Sequence, residues 1–346
     1  MTWPALLGPL SRHESVPLDL VRWGMREIMA GAATPAQIAA FAVSMRMHGE
    51  TPEEIAALVD VMLEFAQPIH IDDVAVDTCG TGGDGAHTVN ISTMAAVLLA
   101  ADGVPVVKHG NRAASSKCGS ADVLEALGVR IDGSPEQAQA ALNALGLTFC
   151  FAATFHPALR FAGPARREIG IPTTFNLLGP LANPAQPKAQ LVGVADPART
   201  TLVTEALRIR GTKALVVRGH DGLDEISIFE PSSVWTTWTT GEIVIDPREL
   251  GIPAHPLDSL RGGDATFNAD VARRLLHGEH AQEFAAVADA VLVNAAAAYV
   301  AVDAARGNPR LDIAEAIVER MEHLRPVLRS GAAGGLLERW AAFTAS

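Results

Sequence analysis

The chain has 346 residues, 49% of them apolar, enough to bury a sizeable core and to form one large and one small domain. Its formal net charge of −12 argues against a general nucleic-acid or membrane-surface binder, which would carry a broad basic face. The three cysteines, Cys79, Cys118 and Cys150, form no CxxC pair and have no zinc-ligand neighbourhood, so a reducing, cytoplasmic setting is expected.

The opening "MTWPALLGPLSRHESVPL" lacks a basic start, a long apolar core and a small-residue cleavage site, so no signal peptide is expected. The first seventy residues read as helices only. One places Leu18, Val21, Met25 and Ile28 on a single stripe. Thr34-Pro35-Ala36-Gln37 and Thr51-Pro52-Glu53-Glu54 are capping boxes with proline at the first helical position, and the second opens a helix striped by Ile55, Leu58, Val59, Met62 and Leu63. A block this small needs a partner for its stripes: the rest of the chain or a second subunit.

From about Val74 short apolar strands alternate with capped helices. Strands are expected at "VAV", "VPVV", "LTFCFA", "AQLVGVA" and "ALVVRG", with further β structure in "SSVWTTWTTGEIVI". Helices are expected at "STMAAVLLAAD", at "ADVLEALG" with Ser120 as its cap, and after the capping box at Ser134. This alternation predicts an α/β fold with a mostly parallel sheet. The segment 164–188 breaks the rhythm with four further prolines after Pro164 and reads as an excursion toward the helical block. The apolar run 284–302 approaches transmembrane length, but Asp289 and Asn294 interrupt it, so a long buried helix is expected.

"DTCGTGGDGAHTVNIST" follows the first strand. Gly80, Gly82 and Gly85 satisfy G-x-G-x-x-G, yet "AHTVN" separates them from the helix, and Ala86-His87 replaces the Lys-Ser/Thr of a P-loop. What both motifs share survives: backbone amides at a strand-to-helix turn, suited to phosphate. Asp84 would repel phosphate unless a divalent cation bridged them; the alternative is a tight turn in which Asp84 accepts backbone N–H groups. Two further clusters follow strands. "VPVVKHGNRAASSKCGS" carries Lys108, His109, Arg112 and Lys117 without an acid, and "GHDGLDEIS" places Asp224 beside Glu225, hard oxygen donors of the kind that hold magnesium. "TFHPALRFAGPARREIG" adds His156, Arg160, Arg166 and Arg167, with donors suited to a carboxylate.

Together, "GTGGDGAHTVNIST", "KHGNRAASSKCGSADVLEALG", "FHPALRFAGPARREIGIPTTFNLLGPLANPA" and "DGLDE" closely resemble the anthranilate phosphoribosyltransferase family, in order through most of the chain. The resemblance implies joining the amine of anthranilate to C1 of phosphoribosyl pyrophosphate, with two Mg²⁺ ions per subunit, in tryptophan biosynthesis. It implies a small helical domain, 1–72 joined by roughly 166–188, on a large α/β domain, 73–165 and 189–346, of the nucleoside phosphorylase/phosphoribosyltransferase type, with a homodimer through the helical part.

For phosphoribosyl pyrophosphate it implies Gly80, Thr81, Gly82, Gly83, Asp84, Thr88, Asn90, Ile91, Ser92, Thr93, Lys108, Ser116, Gly119 and Ser120. For anthranilate it implies Gly80, Asn111, His156, Arg166 and Gly179, and for the metal Ser92, Asp224 and Glu225. Lys108, His109, Asn111 and Arg166 would serve the chemistry, Lys108 by neutralising the leaving group. Val89, where an aromatic is common, and Cys118, where Ser is frequent, are the departures. A nucleoside phosphorylase of the same fold and a nucleic-acid-binding relative are the alternatives; the "KHGNR" and "ARRE" motifs argue against the first and the acidic charge against the second.

Overall fold

The computed structural model describes residues 1–113, 117–279 and 282–345. Four helices come first: α1 (Trp3–Ser11), α2 (Leu18–Met29), α3 (Pro35–His48) and α4 (Pro52–Glu64). The two capping boxes form as the sequence predicts. Thr34 and Thr51 each accept from the backbone N–H of the residue three along, while Gln37 and Glu54 reach back to the cap N–H. Such a cap is worth about 1 kcal/mol.

Strand β1 (Val76–Gly80) leads through the glycine loop to α5 (Ile91–Ala101). Then come β2 (Val106–Gly110), α6 (Ser120–Ala126), α7 (Pro135–Leu145) and β3 (Leu147–Phe151). The short helix α8 (Ala152–Phe155) follows, and the excursion brings α9 (Gly163–Ile169) and α10 (Phe175–Leu178). After it lie β4 (Ala189–Gly193), α11 (Thr200–Ile209), β5 (Lys213–Gly219), β6 (Ser232–Thr236) and β7 (Ile243–Ile245). The chain closes with α12 (Ala265–Leu276), α13 (Ala285–Ala305), α14 (Ile313–Ser330) and α15 (Ala332–Ala345).

The sheet order is β3-β2-β1-β4-β5-β6-β7, with β1 to β5 parallel and β6 and β7 antiparallel at one edge. Successive strand residues face opposite sides, and two cores result. Leu191, Leu215 and Val217 join α5 and α13 to α15 on one face. Val192, Ala214 and Val216 join α11, helices α1 to α4 and Ala158–Ala182 on the other. The stripes of α2 and α4 are therefore covered within one chain: Val21, Met25, Ile28, Ile55 and Leu58 are fully buried, while Leu18, at the start of its stripe, is exposed. Helix α13 is long and apolar enough to cross a membrane, but most of it is packed inside the fold between α5, α14 and the sheet.

Two local expectations are corrected. Ser120 is the first residue of α6, not its cap. Gly119 holds the cap position, and its N–H donates to Asp122 (2.9 Å), which leaves the Ser120 side chain facing the cavity described below. The loop 104–120 is less of an anion attractor than its charges suggest: Arg112 pairs with Asp122 and Glu125 and lies over the Phe151 ring.

Candidate active site

Chain order reverses beside β1, which sits between β2 and β4, and a crevice opens where these parallel strands end. Gly80 and Gly193 end β1 and β4 as register partners. Asp224, arriving after β5, occupies the space above both. A Cβ on Gly193 would lie 1.5 Å from the Asp224 carbonyl oxygen, and one on Gly80 would lie 2.2 Å from its carboxylate. Only hydrogen at both positions admits this close approach. The Asp224 carboxylate then accepts from the Gly82 N–H (2.8 Å). Gly82, Gly83 and Gly85 take positive φ, so the loop backbone turns in a way that other residues resist.

A cavity of about 170 Å³ lies here, walled by Gly80, Gly82, Ser92, Ser120, Asp224 and Glu225 among others. Asp84, Asp224 and Glu225 converge, with one oxygen from each within 4.8 Å of the others. Burial, reinforced by Asp84, pushes Asp224 up to about 6; burial and then Asp224 push Glu225 well up. Among the described residues, one Glu225 oxygen is buried without a hydrogen-bond partner. Three crowded carboxylates with an unsatisfied oxygen are costly alone and favourable around a hard divalent cation, so the donor set fits magnesium. Asp84 also accepts from the Ala86 N–H (3.3 Å), the contact that the tight-turn reading expects.

Beneath the loop, Lys108 is buried at 2% exposure and donates to the Thr78 carbonyl and to Ser92 Oγ (3.2 Å). Burial lowers its pKa, opposed by Asp77. Asp77, fully buried, accepts from the His109 N–H (3.1 Å) and from Asn183 Nδ2 (2.9 Å). Asn183 also donates to the Val107 carbonyl (2.7 Å), stapling the excursion to the sheet.

The staple brings the second half of the site into place. Nδ1 of His109 meets the Gly179 carbonyl (3.0 Å) and Nε2 of His156 meets that of Ala182 (2.7 Å), each as a donor. Their rings pack edge-on at 5.2 Å, and the other nitrogen of each is buried with no partner among the described residues. Burial first, then His156, drives His109 down to about 3, and burial lowers His156. Both rings are neutral at pH 7, each with one bare acceptor. Gly179 borders open space on its Cβ side. Arg166, on α9, is half-buried over the Phe175 ring (5.4 Å), where burial lowers its pKa; among the described residues it has no carboxylate partner.

Residues 4–66 match the helical bundle domain of a glycosyl transferase family, and residues 72–334 match the α/β domain of the same family. An anthranilate phosphoribosyltransferase of Rhodococcus jostii is 51% identical over 346 residues, covering 99% of this chain and 93% of the relative. One of Nocardia farcinica is 52% identical and covers 97% of both. The chain belongs to the anthranilate phosphoribosyltransferase family. The crystal structure of the Thermus thermophilus anthranilate phosphoribosyltransferase superposes with a TM-score of 0.89 at 40% identity, over 98% of this chain and 99% of that one. The Saccharomyces cerevisiae enzyme, solved in complex with PRPP and Mg, shares the fold at 24% identity, with a TM-score of 0.82 over 95% and 92% of the two chains.

Most of the family residues expected from the sequence gather around the crevice. Gly80, Gly82, Ser92, Ser120, Asp224 and Glu225 line its cavity, and Lys108 sits below. Thr81 Oγ1 accepts from the Ala195 N–H (3.2 Å), holding the loop base to the end of β4. Asn90 is fixed at both ends of its amide, donating to the Cys118 carbonyl (3.2 Å) and accepting from Asn268 (2.9 Å). Ile91 and Thr93 are buried in the first turn of α5, Thr93 Oγ1 with no partner among the described residues. Thr88 forms a bridge to Arg261. Asn111 is exposed, its side-chain oxygen accepting from the Arg112 N–H (2.8 Å). Ser116 lies outside the described residues.

Four residues escaped the sequence reading: Asp77, Asn183, Asn268 and the role of Asn294. Asn294, a polar break in the apolar run of α13, clamps the acidic loop by accepting from the Ile226 N–H (2.9 Å) and donating to its carbonyl (3.1 Å). That break was the visible signal. Asp77 opens the glycine motif and Asn183 closes the excursion motif, but nothing local marks them as a pair.

Proposed function

We propose that this chain transfers the phosphoribosyl group of phosphoribosyl pyrophosphate to the amine of anthranilate, releasing N-(5-phosphoribosyl)anthranilate and pyrophosphate, as a cytoplasmic enzyme of tryptophan biosynthesis. The observation that carries the reading is the crevice itself: glycine-loop amides, buried Lys108 and three convergent carboxylates meet at one strand-end switch point. Family membership names the two substrates.

The loop amides from Gly80 to Gly85 wrap the diphosphate, with Thr88, Asn90, Ser92 and Thr93 completing its shell and Gly119 and Ser120, with the amides after Asn111, meeting the remaining phosphate. Breaking the bond from C1 to pyrophosphate builds negative charge on the leaving group, and Lys108 faces that charge from a preorganised, desolvated position. Asp224 and Glu225, with Asp84 and Ser92 adjoining, would hold two magnesium ions, which when bound supply positive charge to the same departing oxygens.

Arg166, with no carboxylate partner among the described residues, would take the anthranilate carboxylate. The neutral rings of His109 and His156, with Asn111 and Gly179, would line the approach of the amine, to which the bare ring nitrogens offer acceptors. An aromatic amine is already nucleophilic, so positioning carries the rate and no strong base is required. Helices α1 to α4 with the excursion would form the smaller domain and the homodimer contact.

The test is loss of anthranilate fluorescence when phosphoribosyl pyrophosphate and Mg²⁺ are supplied to the purified chain. Product formation dependent on both supports the reading; no loss with all components present refutes it.

A further inference from the structure

The segment 256–268 docks backbone to backbone on the far end of the glycine loop. The Val89 N–H donates to the Leu260 carbonyl (2.9 Å) and the Gly262 N–H donates to the His87 carbonyl (2.8 Å), framing the antiparallel bridge Thr88–Arg261. Bonds on both sides of the pair make it the narrow, non-hydrogen-bonded type, whose side chains stand close together on one face. Which face is settled by the neighbours. Val89 and Leu260 are buried in the core on one side, so Thr88 and Arg261 project to the other, the side on which the loop is open to solvent.

The docking is built to last. A Cβ on Gly262 would lie 2.6 Å from the Thr88 carbonyl oxygen, so glycine is required for the approach. Asn268, 2% exposed, ties the segment down by accepting from the Gly263 N–H (2.8 Å) and donating to Asn90 (2.9 Å). Arg261 is exposed and makes no ion pair among the described residues, in contrast to Arg112, Arg248 and Arg274, which each pair with nearby acids.

We infer that Arg261 is a phosphate-binding residue for the sugar diphosphate, a guanidinium brought by a distant segment to the rim of the glycine loop beside Thr88. The inference rests on the function proposed above. A planar fork of donors beside a phosphate loop adds a charge-assisted contact that the loop's own amides lack. It would act on the sugar diphosphate and leave the carboxylate end of anthranilate untouched.

The experiment is calorimetric titration of the full-length chain and its Arg261→Ala, Arg261→Lys and Arg248→Ala variants with three probes. These are phosphoribosyl pyrophosphate with Mg²⁺, inorganic pyrophosphate with Mg²⁺, and ribose 5-phosphate. Arg261→Ala is expected to weaken phosphoribosyl pyrophosphate by about tenfold, with Arg261→Lys between it and the parent and Arg248→Ala unchanged. The KM for anthranilate and the melting temperature should stay at parental values. A matching loss for pyrophosphate or for ribose 5-phosphate supports the contact and identifies which phosphate it serves. Affinity of Arg261→Ala within twofold of the parent for all three probes overturns it while leaving the proposed function standing. A parent chain that binds none of the probes overturns both.

Discussion

Asp224 rests on two glycines from different strands, and the tighter contact is with Gly193: a methyl group there would occupy the Asp224 carbonyl oxygen itself. The acidic loop and the glycine loop are therefore one unit. Gly193→Ala should push Asp224 off the Gly82 N–H and out of the carboxylate cluster. We expect a loss of roughly a hundredfold or more in kcat/KM with secondary structure preserved by circular dichroism. Activity within threefold of the parent would mean that the acidic loop does not need this seat.

Asp224→Asn with Glu225→Gln keeps the shape and removes the charge of two of the three converging acids. The Mg²⁺ concentration for half-maximal activity should rise by roughly tenfold or more. An unchanged magnesium profile would remove both residues from the metal site.

Arg166→Ala removes a half-buried guanidinium that no carboxylate of the described chain neutralises. The KM for anthranilate should rise by roughly ten- to a hundredfold, with phosphoribosyl pyrophosphate affinity spared. Equal losses for both substrates would point instead to collapse of the channel through the Phe175 contact.

His109 should make stability depend on pH. Its pKa falls to about 3 in the folded chain, first by burial and then by His156, against an ordinary value near 6.5. The unfolded chain binds the proton more readily. The neutral ring's contribution is therefore full above pH 6.5 and is lost as pH falls from there toward 3, by up to a few kcal/mol. In urea unfolding, His109→Gln should flatten the decline between pH 6.5 and pH 4. A parallel decline in parent and variant would show that the ring is charged in the fold. His156, lowered in the same direction by burial, should contribute with the same sign.

The strands, the capped helices and the glycine turn were legible along the chain because each is a local pattern. Short apolar runs marked β2 to β5 and the stretch that holds β6 and β7, while β1 starts only at Val76, the last residue of its expected run. Threonine-proline boxes marked α3 and α4, and the positive-φ glycines announced a loop that other residues would strain. The family motifs named the substrates for the same reason: chemistry-bearing residues cluster at strand ends, and strand ends are short continuous stretches.

What the sequence could not decide was which distant stretches share a wall. Arg112 looked like part of an anion site until Asp122 and Glu125 took its charge, and Ser120 looked like a cap until Gly119 took that place. Asp77 and Asn183 lie 106 positions apart and Asn90 and Asn268 lie 178 apart, yet each pair hydrogen-bonds directly. A hydrogen bond requires about 3 Å and the right angle, and only the packing of the sheet against its two layers of helices brings such partners within that range. Composition and periodicity select the elements; the close approach of Gly80, Gly193 and Asp224, which gives the crevice its chemistry, exists only once the strands lie side by side.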